Sequence, residues 1–235
     1  MSDRKAILHV HDLTRTYRLG KVEVPALQGI TLHIEKGEFV SITGPSGCGK
    51  STFMHLIGCL DRPTSGEIFI EEVKVSTLDD DALASIRNKM IGFVFQAFNV
   101  LPKMSALKNV ELPLYYYGVQ REERDARAHE MLKVIGLEHR AHHKPTELSG
   151  GERQRIAIAR ALVNDPRIML ADEPTGNLDT KTSEDIMKVF QELNDKGVTI
   201  IIVTHELDIV RYTKRVVRLR DGLLVDDERI EQKRL

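Results

Sequence analysis

The chain has 235 residues, 41% of them apolar and 29% charged, with a formal net charge of -1. That describes one large folded domain, or one domain carrying a sizeable insertion, around a real core. The even balance of charge argues against a duplex nucleic-acid binder, which needs a basic excess, and the densest apolar run, Val198 to Val203, is far short of the ~20 residues of a membrane span.

In chain order, Met1-Ser2-Asp3-Arg4-Lys5 leads into no apolar stretch, so no signal peptide is expected. Ile7 to Val10 and Ala26 to Ile34 read as edge strands by their alternation, with Lys36-Gly37-Glu38 as a turn. Phe39 to Thr43 is a short buried strand entering a glycine-rich loop, and Lys50 to Cys59 is a helix. A helix between Cys48 and Cys59 would hold them ~15 Å apart, too far for a disulfide, so both are expected as thiols. Gly66 to Val75 reads as a strand, Asp79 to Met90 as a helix with acidic residues suited to its N-terminus, and Ile91 to Gln96 as another strand. Residues 97–147 read as a mostly helical insertion, with two proline-marked loops and a charged helix from Arg121 to Ile135. Alternation then resumes. Strand Ile168 to Ala171 precedes helix Thr182 to Lys196, and strand Thr199 to Val203 precedes a short helix near Leu207 to Tyr212. A hairpin from Val216 to Val225 turns at Asp221-Gly222, and the charged tail Asp226 to Leu235 is expected to lie exposed. Buried strands alternating with helices predict a mainly parallel α/β sheet covered on both faces, with ligands beyond the carboxyl ends of the strands.

Gly44-Pro45-Ser46-Gly47-Cys48-Gly49-Lys50-Ser51-Thr52 fits the phosphate-loop pattern G-x-x-x-x-G-K-S/T. Its glycines let backbone N–H groups turn inward around an anion, and the helix that follows adds its positive end. Lys50 is suited to the β- and γ-phosphates and the Ser51 hydroxyl to Mg²⁺. Cys48 is either a small residue tolerated in the loop or a redox sensor. Asp172 and Glu173 end a buried strand. Asp172 is the candidate for holding Mg²⁺, and Glu173 for polarising the attacking water. A second glycine-rich helix start, Leu148-Ser149-Gly150-Gly151-Glu152, precedes a helix read as Arg153 to Val163 that Ser149 can cap. One triphosphate rarely needs two such sites from one chain. A homodimer with each ATP between one phosphate loop and the partner's Ser149-Gly150-Gly151 resolves the excess.

On these motifs the chain resembles the ABC (ATP-binding cassette) ATPase family over nearly its whole length, Leu148-Ser149-Gly150-Gly151 being that family's signature. The resemblance implies a P-loop α/β fold with a mainly parallel core, an antiparallel β edge and a helical insertion. Within a single domain 1–235, segments 1–96 and 164–235 would form the core with its β edge, and 97–163 the helical subdomain. It implies adenine stacking by Tyr17, Mg²⁺ and water contact by Gln96, an interface loop at Asn177-Leu178-Asp179 and γ-phosphate contact by His205. Asp172 to Asp179 together with Asn109 to Leu114 resemble the LolD/MacB branch, whose members serve lipoprotein release or drug and peptide export. Glu152-Arg153 also resembles the lipoprotein-release members. The alternative is an FtsE-like regulatory ATPase of a non-transporting membrane complex. Either role implies transmembrane permease subunits as partners, a peripheral place on the cytoplasmic face of the inner membrane, no membrane insertion and no nucleic acid. Phe98 to Pro102 and Tyr115-Tyr116-Tyr117 are either a docking surface or internal packing, and His139, His142 and His143 read as a solvated helix end.

Overall fold

The computed structural model describes residues 6–235; Met1 to Lys5, read above as carrying no signal peptide, lie outside the described residues. β1 (Ala6–Leu19) and β2 (Val22–Glu35) form a long antiparallel pair, each longer than the predicted edge strands. β4 (Ser65–Ile70) and β5 (Val73–Lys74) join them in a four-stranded antiparallel sheet of order β2-β1-β4-β5. The single strand expected from Gly66 to Val75 is therefore two. The chain turns at Glu71, whose φ of 53° lies in the left-handed region, and Val73 and Lys74 pair back onto Ile70 and Phe69.

The main sheet has six strands in the order β10-β9-β3-β8-β7-β6. β3 (Phe39–Thr43), β6 (Ile91–Phe95), β7 (Ile168–Asp172), β8 (Thr199–Val203) and β9 (Arg215–Arg220) run parallel, and β10 (Leu223–Arg229) closes one edge antiparallel to β9. Successive residues of the central strands enter opposite cores, as the two-residue period of a strand requires. Met169, Ala171, Ile200 and Ile202 pack with the helices on one face, while Leu170, Ile201 and Val203 pack with the antiparallel sheet and α1 (Lys50–Ile57) on the other.

α2 spans Asp80–Met90, α3 Ala106–Tyr117, α4 Arg121–Val134, α5 Gly150–Leu162, α6 Thr180–Asp195 and α7 Leu207–Val210. Pro113, in the stretch where prolines suggested loops, lies inside α3. The helix survives the lost N–H because Ala106, Leu107, Val110 and Leu114 bury one stripe at helical spacing, and Ser105 caps its start. Asn109 on this helix is fully buried. Its amide nitrogen donates to the carbonyls of Leu101, Met104 and Ser105, and its Oδ1 accepts from Leu101 N at 2.7 Å. Asn109→Ala is expected to cost about 1–3 kcal/mol through the backbone groups it strands, read as a lower midpoint in urea unfolding with an unchanged slope.

α5 starts at Gly150, three residues before the predicted Arg153, because Ser149 and Glu152 close a capping box around the glycines. It lies hard on β6: a Cβ on Gly92 would stand 2.3 Å from the carbonyl oxygen of Ala161. The tail is exposed, as its charge predicts, and is also tied down. Arg218 pairs with Asp226 and Glu228, Lys233 N donates to Arg211 O, and Leu235 N donates to Gln191 Oε1. Its mixed charges are cross-strand complements of β9. No helix among the described residues is long and apolar enough to cross a membrane.

Candidate nucleotide site

The site grows from the carboxyl ends of β3, β7 and β8. All five residues of β3 are buried, and the chain leaves it through Gly44, Gly47 and Gly49, each at positive φ. A Cβ at Gly44 would stand 2.1 Å from the carbonyl of Leu219, and one at Gly49 2.5 Å from that of Ala26. Only glycine fits either position. α2, α3, α5 and α6 are capped by the side chains of Asp79, Ser105, Ser149 and Asp179. α1 has Gly49 at its cap and no capping side chain, so its first N–H groups face the loop ready for an anion. Lys50 is buried, and its Nζ donates to the carbonyls of Gly44 at 2.7 Å and Pro45 at 2.8 Å.

β7 delivers the acid pair. Burial, then the charge of Glu173, raises the pKa of Asp172 above the usual carboxylate value, opposed by nearby His55 and Lys50. Glu173 follows at φ 43°, with its N–H on Val203 O at 2.8 Å. Its Oε1 lies 2.6 Å from His205 Nδ1. Ala26, Ser46, Gly47, Gly49, Lys50, Ser51, Thr52, Glu173 and His205 line one cleft of about 430 Å³. Lysine, hydroxyls, base candidate and histidine from three stretches of chain thus meet at one place.

Gln96 follows β6. Its side chain lies over the acid loop, where a Cβ on Gly176 would come within 2.6 Å of its Nε2, and its carbonyl accepts from Asn177 Nδ2 at 2.9 Å. Tyr17 is held by Asp61, whose Oδ2 accepts from the phenol at 2.9 Å, and by the Arg15 guanidinium 4.6 Å above its ring. Asp61 escaped the sequence reading because the bond spans 44 residues.

Ser149, Gly150 and Gly151 line no part of that cleft. They form a second cluster with the predicted interface loop. A Cβ on Gly150 would stand 3.1 Å from Leu178 Cδ2, and one on Gly151 2.6 Å from Thr182 Cγ2. Glu152 is ion-paired with Arg140, and its bond from Ser149 N, then the Ser149 hydroxyl and Arg140, keep its carboxyl below the usual range. Two more residues of α5 were missed in the sequence. Arg160 donates to the carbonyls of Phe98 and Asn99, both at positive φ, and Gln154 donates to Pro174 O at 2.6 Å. Neither has a local signal, since each reaches a distant loop.

Phe98 is buried beneath the Arg153 guanidinium, so this part of the suspected docking stretch is packing. Tyr115, Tyr116 and Tyr117 are exposed. Both cysteines are buried free thiols, and burial pushes that of Cys59 up to about 11 against the opposing charge of Arg87. His143 is engaged with Arg140, and among the described residues no group of three His, Cys, Asp or Glu side chains is placed to hold a metal ion.

A buried strand, a glycine loop with an internal lysine, an uncapped helix and a carboxylate pair two strands away define a P-loop nucleoside triphosphatase. Residues 27–176 match the sequence profile of the ABC transporter family. An ABC transporter ATP-binding protein of Thermotoga maritima is 52% identical over 225 residues, which is 96% of each chain. The macrolide export ATP-binding/permease protein MacB of Bdellovibrio bacteriovorus is 48% identical over 96% of this chain, which spans 34% of that protein. Among solved structures, the ATP-binding cassette MJ0796 of Methanocaldococcus jannaschii, a dimer in a post-hydrolysis state bound to ADP and Pi, superposes with a TM-score of 0.87 at 48% identity over 96% of this chain and 100% of that one. The chain belongs to the ABC transporter family, as an ATP-binding and ATP-hydrolysing cassette of the MacB-like branch.

Proposed function

We propose that two copies of this chain close face to face on two ATP molecules, each triphosphate lying between the Gly44 to Thr52 loop of one protomer and Ser149-Gly150-Gly151 of its partner. The observation that carries this is the separation of the two glycine-rich helix starts within one chain, one lining the cleft and the other outside it. The dimeric state of the MJ0796 cassette supports it. ATP reaches both protomers through its γ-phosphate while ADP does not, so ATP favours the closed pair by differential affinity.

Within each site Tyr17, its ring fixed by Arg15 and Asp61, stacks on adenine. Lys50 leaves the loop carbonyls for the β- and γ-phosphates, at the modest cost of exchanging one set of oxygen acceptors for a charged one. Glu173 orients and polarises the attacking water. His205 holds that carboxylate through Nδ1 and turns Nε2 to the γ-phosphate. Ser51, Asp172 and Gln96 offer a hydroxyl, a carboxylate and an amide oxygen, a hard donor set that suits Mg²⁺. The raised pKa of Asp172 is a charge penalty a cation relieves. These three residues would hold the ion, which when bound supplies charge neutralisation on the phosphates.

Residues 97–163 act as the helical unit of the single domain, and Asn177-Leu178-Asp179 as the loop crossing the dimer. The partner is a permease embedded in the membrane, with this chain peripheral on the cytoplasmic face of the inner membrane. The joining of ATP-binding and permease parts in the name of the MacB relative supports this. The docking surface is a groove of about 820 Å³ between α2, β6 and α3, lined by Asn88, Phe93, Leu112, Tyr116 and Tyr117 among others. Driving such a permease, in lipoprotein release or drug and peptide export, is the work the cycle serves.

Complementation tests the shared site. Lys50→Ala and Ser149→Arg chains are each expected to lose most ATPase activity, Lys50→Ala by losing nucleotide affinity first. Mixed together, they rebuild one intact site per mixed dimer, from the Lys50 of one protomer and the Ser149 of the other, and ATP-dependent dimer returns on a sizing column. Mixtures that form no more dimer than their components would reject the arrangement.

A further inference from the structure

One fully buried polar side chain lies outside the nucleotide cleft and is only half satisfied. Gln154 is fully buried, one turn into α5. Its Nε2 donates to Pro174 O at 2.6 Å, and its Oε1 has no hydrogen-bond partner among the described residues. A buried carboxamide kept half satisfied needs a reason, because an apolar side chain of similar shape would avoid the penalty.

The segment it grips is strained. Glu173 precedes a proline, a position that favours extended backbone, yet its φ is 43°. A conformation of that kind persists only when its surroundings over-determine it. Upstream, Glu173 N is fixed on Val203 O at 2.8 Å. Downstream, Gly176 N closes a turn on Glu173 O at 3.1 Å, and Pro174 offers no N–H of its own. The Pro174 carbonyl, one peptide beyond that of Glu173, is therefore a handle by which a neighbour can set the turn that follows Glu173, and Gln154 holds it.

We infer that Gln154 is a positioning residue that sets the catalytic posture of Glu173 in its own chain according to what the start of the same helix α5, Ser149-Gly150-Gly151, meets across the dimer. The inference rests on the reading of Glu173 as the water-polarising base. It makes each protomer's contact with its partner's ATP a condition for hydrolysing its own, so the two sites fire as a coupled pair. Gln154 acts through Pro174 and touches neither nucleotide nor water.

Mixed dimers with a single working Glu173 separate this from a structural role. The reference pairs an unaltered chain with a Glu173→Gln chain. In the first arm, a Gln154→Met chain with its own Glu173 intact is paired with a Glu173→Gln chain. In the second, Gln154→Met and Glu173→Gln share one chain, and its partner is unaltered. The first arm is expected to fall roughly 10- to 100-fold below the reference in kcat, the scale of a misplaced catalytic group, with KM for ATP unchanged. The second is expected to stay near the reference. A first arm at the reference rate, or equal losses in both arms, overturns the inference. Should Gln154→Met fail to fold, Gln154→Glu keeps the shape and donates only when protonated. Its first-arm rate relative to the reference should then fall as pH rises, and a flat ratio overturns the inference. Near-parental turnover with Glu173→Gln in both chains would instead remove the reading of Glu173, and this inference with it.

Discussion

Glu173→Gln is expected to lower ATP turnover by roughly 10²–10⁴-fold, the usual contribution of a positioned general base, while ATP still binds. The amide keeps the shape of the side chain, so the backbone of the acid loop and its bond to Val203 O are retained. What is lost is the carboxylate facing the cleft beside His205. Lys50, the glycine loop and the uncapped start of α1 are untouched, so the groups that hold phosphate remain. On the proposed arrangement, in which the γ-phosphate bridges two protomers, blocking hydrolysis should make the closed dimer accumulate. ATP-dependent dimer on a sizing column, together with a single-turnover rate, checks both halves of the expectation. Turnover near the parental rate would refute the assigned role.

Arg215→Met is expected to destabilise the fold by about 3–5 kcal/mol, the scale of a buried ion pair broken from one side. Arg215 lies at 7% exposure on β9 and is fully engaged. Its Nη1 donates to Glu38 Oε2 at 2.8 Å and to His33 O at 3.0 Å, and its Nε and Nη2 grip both oxygens of Asp227 at 2.7 Å. Removing the guanidinium leaves Glu38, itself 8% exposed, with the Glu35 N–H at 3.0 Å and, as its nearest cation, the solvent-facing Arg229 at 3.4 Å. Urea unfolding of Arg215→Met measures the loss. Adding Glu38→Gln should recover part of it, because the cost lies in the uncompensated charge. Acid titration gives a second reading. Hydrogen bonds from Arg215 hold the Asp227 carboxyl below its usual range. Its contribution to stability is thus present above the unfolded value of about 3.9 and disappears as pH falls through the lower folded value. In Arg215→Met that part of the acid dependence should vanish.

What the sequence reveals depends on how far apart the interacting residues lie. The limits of β3 and β8, the Asp221-Gly222 turn and the cap at Asp79 can be read locally, because five buried residues in a row or an acidic start declare themselves within a few positions. The phosphate loop, acid pair and second glycine turn are equally local, and the fold brings Lys50, Ser51, Glu173 and His205 to one cleft as their strand-end positions require. α3 was hidden because Pro113 reads as a breaker, and only the buried stripe beneath it outweighs the missing N–H. The split of Gly66 to Val75 turned on one left-handed glutamate. The ties of the exposed tail left no local signal because its partners, Arg215 and Arg218, belong to another strand. Asp61, Gln154 and Arg160 left no trace, since each is defined by a carbonyl or phenol far along the chain.

The bare contact of Gly92 with Ala161 has a mechanical meaning. Where Gly92 meets Ala161 no side chain separates helix from sheet, so the C-terminal end of α5 rests on β6 as a lever rests on its fulcrum, and a tilt there is felt most at the far end. Ser149 lies about 18 Å from Ala161 at 1.5 Å per residue, so a tilt of about 10° there carries the serine about 3 Å while hardly disturbing the pivot. A displacement of that size is ample to make or break contact with a phosphate, and the same stroke tugs on every loop tethered along the arm.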